Sequence, residues 1–359
     1  MNILLLGGTG AMGTHLSQIL KERGCNVWIT SRKKRASIKN VHYLQGNAKD
    51  IEFIKKILPL ANWNAIIDFM VYDTNTFKTH SKILLKNTSH YIFLSSARVY
   101  ANSDKQLTEQ SPRLLDYSSD KKYIQSNEYA ITKAKQENIL YNTQFKNWTI
   151  IRPYITYSEN RLQLGILEKE EWLYRAIQGK SLVFPTNLLN KKTTLTYGYD
   201  VANGINSIIG LKQSYEQVYH ITTNDSITWE TILKIYCNTI KDILHIKPKI
   251  IYVTDEEFLR CKSAKYQYYY DRMYHRTFNN NKISHFINTS SFEQTKKGLI
   301  KCLESLLKRP SFNSINWRNE ALQDRLTKEH TKLYNIPTLK SKIKYMLFRY
   351  SPYLPKNQK

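Results

Sequence analysis

The chain has 359 residues, 41% of them apolar and 23% charged, so it can bury one large domain or two joined ones and is too apolar for wholesale disorder. With 12 Gly and 9 Pro it is neither collagen-like nor low in complexity, and no apolar stretch approaches the roughly 18 residues of a membrane-spanning helix. Its 54 Lys and Arg against 29 Asp and Glu leave a net charge of +25, spread as 22 basic and 12 acidic residues in 1–160 and 32 and 17 in 161–359. Such a surface suits phosphorylated ligands, nucleic acid or an anionic membrane, and charge alone does not choose among them.

Short β-branched or Leu-rich runs alternate with amphipathic stretches from the start, the pattern of a parallel sheet covered by helices. Strands are predicted over Asn2–Leu6, Asn26–Thr30, Val41–Gln45, Ala65–Asp68 and Tyr91–Ser95, with helices over Met12–Arg23, Ile51–Leu58 and Thr76–Lys86. After a polar stretch, a helix over Asn127–Tyr141 leads to a strand over Trp148–Arg152. Beyond Pro153 the spacing predicts helices at 168–179, 200–211, 229–240 and 291–307, with short strands near 181–184, 193–196 and 218–221. The expected architecture is a Rossmann-type doubly wound parallel sheet in 1–152 and a smaller α/β substrate-binding lobe in 153–310, whose segments exchange with the first. A basic extension follows in 311–359. Its last 29 residues hold seven Lys or Arg and no Asp or Glu, interleaved with Tyr345, Leu347, Phe348 and Tyr350. That composition suits a solvated or packed extension better than a segment lying on a membrane surface. Cys25, Cys237, Cys261 and Cys302 are scattered without metal or redox spacing and read as reduced thiols, and the nine His show no ligand spacing, so no metal is expected. The short apolar start runs straight into glycines rather than a cleavage site, which predicts a cytoplasmic protein.

Gly7-Gly8-Thr9-Gly10-Ala11-Met12-Gly13 lies between a strand and a helix. Gly7 permits a tight turn, Gly10 lets the backbone, with Met12, approach a pyrophosphate, and Gly13 allows close helix packing. The helix amino end adds free N–H groups and a positive dipole. Where an acid would bind a ribose 2′-hydroxyl at the end of the second strand, the run is Thr30-Ser31-Arg32-Lys33. Ser31 and Arg32 there favour a 2′-phosphate, hence NADP over NAD.

Tyr129 and Lys133 stand four residues apart on one helical face, and a nearby ammonium favours the phenolate needed for proton transfer to or from a hydroxyl. Tyr117 and Lys121 share the spacing but sit in a polar stretch without helical periodicity, so Tyr117 is the decoy. Ser95-Ser96-Ala97-Arg98-Val99-Tyr100 follows a predicted strand, where ligands bind in such sheets.

In this order, the glycine loop, Ser-Ser-x-x-Val-Tyr, Asn-Glu-Tyr-Ala-x-x-Lys, Arg152-Pro153 and Thr196-Tyr197-Gly198-Tyr199-Asp200-Val201-Ala202 resemble the extended short-chain dehydrogenase/reductase superfamily, specifically its NAD-dependent epimerases and dehydratases. The resemblance spans roughly 1–310. It implies a Ser96–Tyr129–Lys133 catalytic set, with Lys133 also holding the nicotinamide ribose and Asn47 standing where the family has an Asp near the adenine. It further implies an NAD(P) cofactor and a nucleotide-sugar substrate, with Arg272 and Arg276, and less strongly Arg161, Trp172 and Arg175, on the substrate side. A homodimer is one assembly to test, and nucleic acid is not the expected partner. The rival expectation is a non-catalytic Rossmann protein that binds RNA or senses the nicotinamide pool. Within the family, dehydratases carry an Asp-Glu pair after the active-site hydroxyl. Ala97 and Arg98 stand there, so epimerisation or simple redox is expected, as an isomerase or oxidoreductase, without loss of water.

Overall fold

A computed structural model describes residues 1–351, which cluster into two units. The first comprises Met1–Ser158, Thr194–Ser226 and Arg276–Thr295, and the second Glu159–Thr193, Ile227–His275 and the described residues from Lys296 on.

In the first unit seven parallel strands form one sheet: β1 (Asn2–Leu6), β2 (Asn26–Ser31), β3 (Val41–Gln45), β4 (Ala65–Asp68), β5 (Tyr91–Leu94), β6 (Trp148–Pro153) and the strand Gln217–Ile221. From one edge to the other the order is Gln217–Ile221, β6, β5, β4, β1, β2, β3. The chain therefore winds outward in both directions from β1 and β4, and the crevice at their carboxyl ends is the topological switch point where such sheets bind ligands. Alternation along β1 builds both halves of the core. Ile3 and Leu5 face α1 (Gly13–Glu22) and the helix Gly198–Ile208 through Leu16, Leu20, Val201 and Ile205. Leu4 and Leu6 face α2 (Ile51–Ile57) and α3 (Thr74–Lys86) through Ile54, Phe77 and Leu84. After β5 the chain makes two short helices, α4 (Leu114–Tyr117) and α5 (Lys121–Gln125), before α6 (Tyr129–Tyr141).

The second unit holds a parallel pair, Leu182–Pro185 with Ile250–Val253, and several helices. Trp172 stacks on Tyr236 with ring centroids 4.4 Å apart, as a core residue. Arg175, fully buried, donates to Glu320 at 2.8 Å, Asp324 at 2.7 Å and Glu329 at 2.8 Å. Those bonds fasten the helix Trp317–Thr327 to the helix Lys169–Ile177, so Arg175 is spent on structure.

Several elements depart from the periodicity. The strand expected at 193–196 is two separate pieces, Lys192–Thr193 and Thr196–Tyr197, with different partners. The helix expected from 291 starts at Thr295, because Asp225 accepts from the Thr295 amide at 3.2 Å and hydroxyl at 2.7 Å and fixes the chain before the first turn. Within the basic extension, the described residues 311–351 carry the helices Trp317–Thr327 and Leu339–Tyr350, for which no element is predicted from the sequence. Cys25, Cys261 and Cys302 are buried thiols and Cys237 is half-buried.

Candidate active site

The glycine loop leaves β1 with Gly7 at φ +71°, a conformation costly for any side chain, and a Cβ there would lie 2.6 Å from Met70 Sδ. The Gly7 amide donates to Thr30 Oγ1 at 2.9 Å, tying the turn to β2. Gly13 opens α1 so close to the loop that a Cβ would lie 2.6 Å from the Gly8 backbone, whereas at Gly10 nothing lies within 4 Å. No side chain caps α1 at Met12 and its first turn holds no acid. A positive helix end with open space before it fits the pyrophosphate of a dinucleotide. Gly7, Thr9, Thr30, Ser31, Arg32, Asn47, Lys49 and Met70 are among the residues lining a cavity of ≈ 370 Å³ beside this loop. Arg32 and Asn47, both exposed, follow the adjacent ends of β2 and β3. Ser31 is committed locally: its hydroxyl donates to the Lys33 carbonyl at 2.8 Å and accepts from the Lys33 amide at 3.2 Å. The site thus fits an NAD(P) group held by the α1 amino end, Arg32 and Asn47.

A second cavity, of ≈ 400 Å³, is lined by Tyr72, Asp73, Tyr129, Thr132 and Lys133 among others, and shares Lys49 with the first. Tyr129 is the first residue of α6, which starts there because the Glu128 carboxylate accepts from the Ala130 amide at 2.7 Å. The Glu128 carboxylate also binds Arg98, whose guanidinium lies 5.2 Å from the Tyr129 ring centroid. One turn on, the Lys133 ammonium is buried. It donates to the Leu94 carbonyl at 2.7 Å and the Met70 carbonyl at 3.3 Å, and lies 5.9 Å from the Tyr129 ring centroid. Burial pulls Lys133 down to about 8, against the opposing pull of Asp68 and Glu137. Asp68, itself raised by burial, sits at the end of β4 and accepts from the Tyr91 hydroxyl at 2.8 Å and the Met70 amide at 2.9 Å.

The two serines after β5 part company, since neighbouring residues in extended chain point to opposite sides. Ser95 donates to Glu137 Oε1 at 2.6 Å, whereas Ser96 Oγ accepts from the Arg98 amide at 3.2 Å and caps the short turn Ala97–Val99. Glu137, one turn beyond Lys133, is fully buried and held below the usual carboxylate range, against its own burial, by Arg152, Ser95 and Arg113. Asp68, Glu137, Lys49 and Met70 escaped the sequence reading, and Glu128 entered it as part of the Asn-Glu-Tyr-Ala-x-x-Lys motif without a role. Of the four, only Glu137 left a signal there, as an acid continuing the Tyr129–Lys133 stripe at the same spacing.

Tyr117 is 71% exposed on its short helix. Two of the arginines expected on the substrate side have guanidinium groups turned into the protein. Arg276 is buried and donates to the carbonyls of Ala101 at 3.0 Å and Tyr100 at 2.9 Å. Arg272 is buried with Asp271 and donates to the Gly165 carbonyl at 2.9 Å. Such charges stay buried because carbonyl and carboxylate oxygens replace their water. Arg161, in the second unit, is 43% exposed and pairs with Glu168 at 3.2 Å.

Residues 3–221 match the profile of the NAD dependent epimerase/dehydratase family. A curated relative, chloroplast stem-loop binding protein of 41 kDa b from Arabidopsis thaliana, is 24% identical over 267 residues, 69% of this chain and 66% of that protein. The chain therefore spans about two thirds of that relative's length. The fold matches UDP-glucuronic acid 4-epimerase from Bacillus cereus, in complex with UDP-glucuronic acid and NAD, at 16% identity and TM-score 0.64, covering 86% of this chain and 99% of that one. It matches dTDP-glucose 4,6-dehydratase from Bacillus anthracis, in complex with NAD, at 17% identity and TM-score 0.63, over 86% and 97%.

Proposed function

The chain belongs to the NAD dependent epimerase/dehydratase family, and from that premise we propose that it is an NAD(P)-dependent epimerase or reductase of a nucleotide sugar, with Ser96, Tyr129 and Lys133 at its reacting hydroxyl. The observation that carries this reading is the pair Tyr129 and Lys133, one helical turn apart on a cavity that shares Lys49 with the cavity beside the glycine loop. The bound nicotinamide supplies the hydride acceptor and donor. Tyr129 takes the hydroxyl proton as the carbonyl forms and returns it on reduction. Lys133, held at the ends of β4 and β5, favours the phenolate by its charge and, as a compact donor, reaches the ribose hydroxyls. Ser96 donates a hydrogen bond to the substrate oxygen. The Arg98 cation over the Tyr129 ring adds to the field that favours the phenolate. Arg98 is always protonated and Ala97 cannot transfer a proton, so neither supplies the acid needed to expel hydroxide, and the product keeps its oxygen. Arg32 accepts a 2′-phosphate, which makes NADP the preferred cofactor. Of the arginines expected on the substrate side, Arg175, Arg272 and Arg276 are buried, whereas Arg161 keeps 43% of its side chain exposed.

The test is a screen of nucleotide sugars with NAD and NADP, read by mass spectrometry. An epimer keeps the substrate's mass, and a redox product differs by two hydrogens. A product lighter by one water, lost in Tyr129→Phe, overturns the reading.

One observation favours a second reading, RNA binding: the 24% identical relative is named for stem-loops, and this chain carries +25. Stem-loop RNA should then bind with an affinity that falls steeply with salt yet keeps a sequence preference at high salt.

A further inference from the structure

We propose that the helix Leu339–Tyr350 docks the protein, by its outward face, onto an anionic lipid surface. The inward face of this helix is settled by Tyr345, which is 1% exposed, donates its hydroxyl to Asp324 at 2.6 Å and packs with Trp317, Ala321 and Ile336. Among the described residues the opposite face has no such cover. Leu339, Ile343, Met346, Leu347 and Tyr350 are each between 41% and 73% exposed, and their spacing puts them on one arc of about 100°. Isolated exposed apolar residues are ordinary, but a continuous stripe of five marks an interaction surface.

The charges beside the stripe select the occupant. At about 100° per residue, Lys340 and Lys344 border one edge and Lys342 and Arg349 the other. No Asp or Glu occurs in 331–359. Leu333 and Tyr334, just upstream, are exposed as well, with the Lys332 ammonium 5.7 Å from the Tyr334 ring centroid. A second copy laid on this face would set lysine rows against lysine rows. An anionic bilayer meets both features at once: the stripe enters the acyl boundary, and the flanking lysines extend their stems along it to reach the headgroups. Among the described residues no helix is long and apolar enough to cross a membrane, so the contact is in-plane.

Flotation of the full chain with vesicles tests this, comparing pure phosphatidylcholine with vesicles containing about one third phosphatidylglycerol. The chain should float with the anionic vesicles alone, less so as salt rises. Ile343→Glu with Leu347→Glu should lower partitioning at least about tenfold with an unchanged melting temperature. Lys340→Gln with Lys344→Gln should lower it about fivefold per lysine. Lys234→Gln with Lys241→Gln, two exposed lysines on the outer side of the partly buried helix Trp229–Leu244, should leave it unchanged, which separates this face from the overall charge. Should the double glutamate variant unfold, Ile343→Ser alone reads the same face. Three results overturn the proposal: equal binding to neutral vesicles, binding indifferent to both stripe substitutions, or a dimer or RNA complex that these substitutions abolish while vesicle binding persists.

Discussion

Removing the charge of Glu137 with the least change of shape, by Glu137→Gln, tests what holds α6 in place. The carboxylate accepts four hydrogen bonds, from Ser95 at 2.6 Å, from Arg152 Nε at 2.8 Å and Nη2 at 2.7 Å, and from Arg113 Nη1 at 3.1 Å. A Gln keeps one acceptor and sets an amide donor against arginine donors. Arg152 is 2% exposed, so its charge would be left buried without its counter-ion. Breaking such a pair from one side costs about 3–5 kcal/mol, a large share of the ~5–15 kcal/mol that holds an ordinary domain together. Urea unfolding at about pH 7 should show that loss as a lower midpoint at unchanged slope. Glu137 is held below its ordinary 4.5, so its contribution is complete above that value and is lost as pH falls through the folded-state value beneath it. The gap between the wild-type protein and the variant should therefore hold steady on mild acidification and close only below 4.5. Arg152→Met combined with Glu137→Leu should cost less than either change alone, since no bare charge remains. A loss under about 1 kcal/mol for Glu137→Gln, or a gap that closes already above 4.5, would refute the reasoning.

Three further outcomes follow from the site. Tyr129→Phe should lower turnover ~10²-fold or more while cofactor titration stays near wild type, and Tyr117→Phe should change neither; the reverse result reassigns the base. Arg32→Ala should weaken NADP(H) more than NAD(H), by the ~1.5–3 kcal/mol of a charge-assisted bond, and an equal loss for both would remove Arg32 from the 2′-phosphate. For Lys133, the fall from 10.5 to about 8 amounts, at ~1.4 kcal/mol per pKa unit, to ~3 kcal/mol of strain on the ammonium. Because its folded value is depressed, that cost is complete below 8 and fades as pH rises toward 10.5. Lys133→Met should therefore gain stability relative to wild type at about pH 7 and lose that gain near pH 10 in unfolding titrations, while losing activity at both.

The centre of the sheet was legible because β1, β4, β5 and β6 are short apolar runs buried on both faces, and a run such as Ala65-Ile66-Ile67-Asp68 reads as little else. The glycine loop was legible because chain geometry ties those glycines to a strand before and a helix after. Elements fixed by single polar contacts were not. Asp225, seventy residues upstream, sets where the helix at Thr295 begins, and no local pattern encodes that. The burial of Arg276 was not legible because its partners, the carbonyls of Tyr100 and Ala101, are backbone atoms that every sequence offers everywhere, and that of Arg272 because it rests on the distant Gly165 carbonyl as well as on the neighbouring Asp271. The segment holding the helix Leu339–Tyr350 was legible in composition, as a basic stretch with interleaved aromatic and apolar residues, but its bounds as a helix were not.

The same distinction explains α6. Its inward face carries Lys133, Gln136 and Glu137, all buried, where an ordinary helix would present Leu or Ile. Lys133 donates to carbonyls after β4 and β5, Gln136 donates to the Tyr72 carbonyl at 2.8 Å, and Glu137 ties to Ser95 and Arg152 at the ends of β5 and β6. Apolar packing at these positions would bury the helix at lower desolvation cost, yet it tolerates sliding and rotation by fractions of an ångström. Hydrogen bonds at 2.6–2.8 Å after β4 and at the ends of β5 and β6 are directional, and sliding or rotating the helix misaligns all of them together. A phenol that must meet a substrate oxygen needs that restraint, since preorganisation of a site rests on the groups behind it. The stripe Tyr129–Lys133–Glu137 thus joins two tasks on one face, with the pair proposed for catalysis on its first turn and its anchor on the next, and the weak apolar periodicity of α6 is the physical consequence.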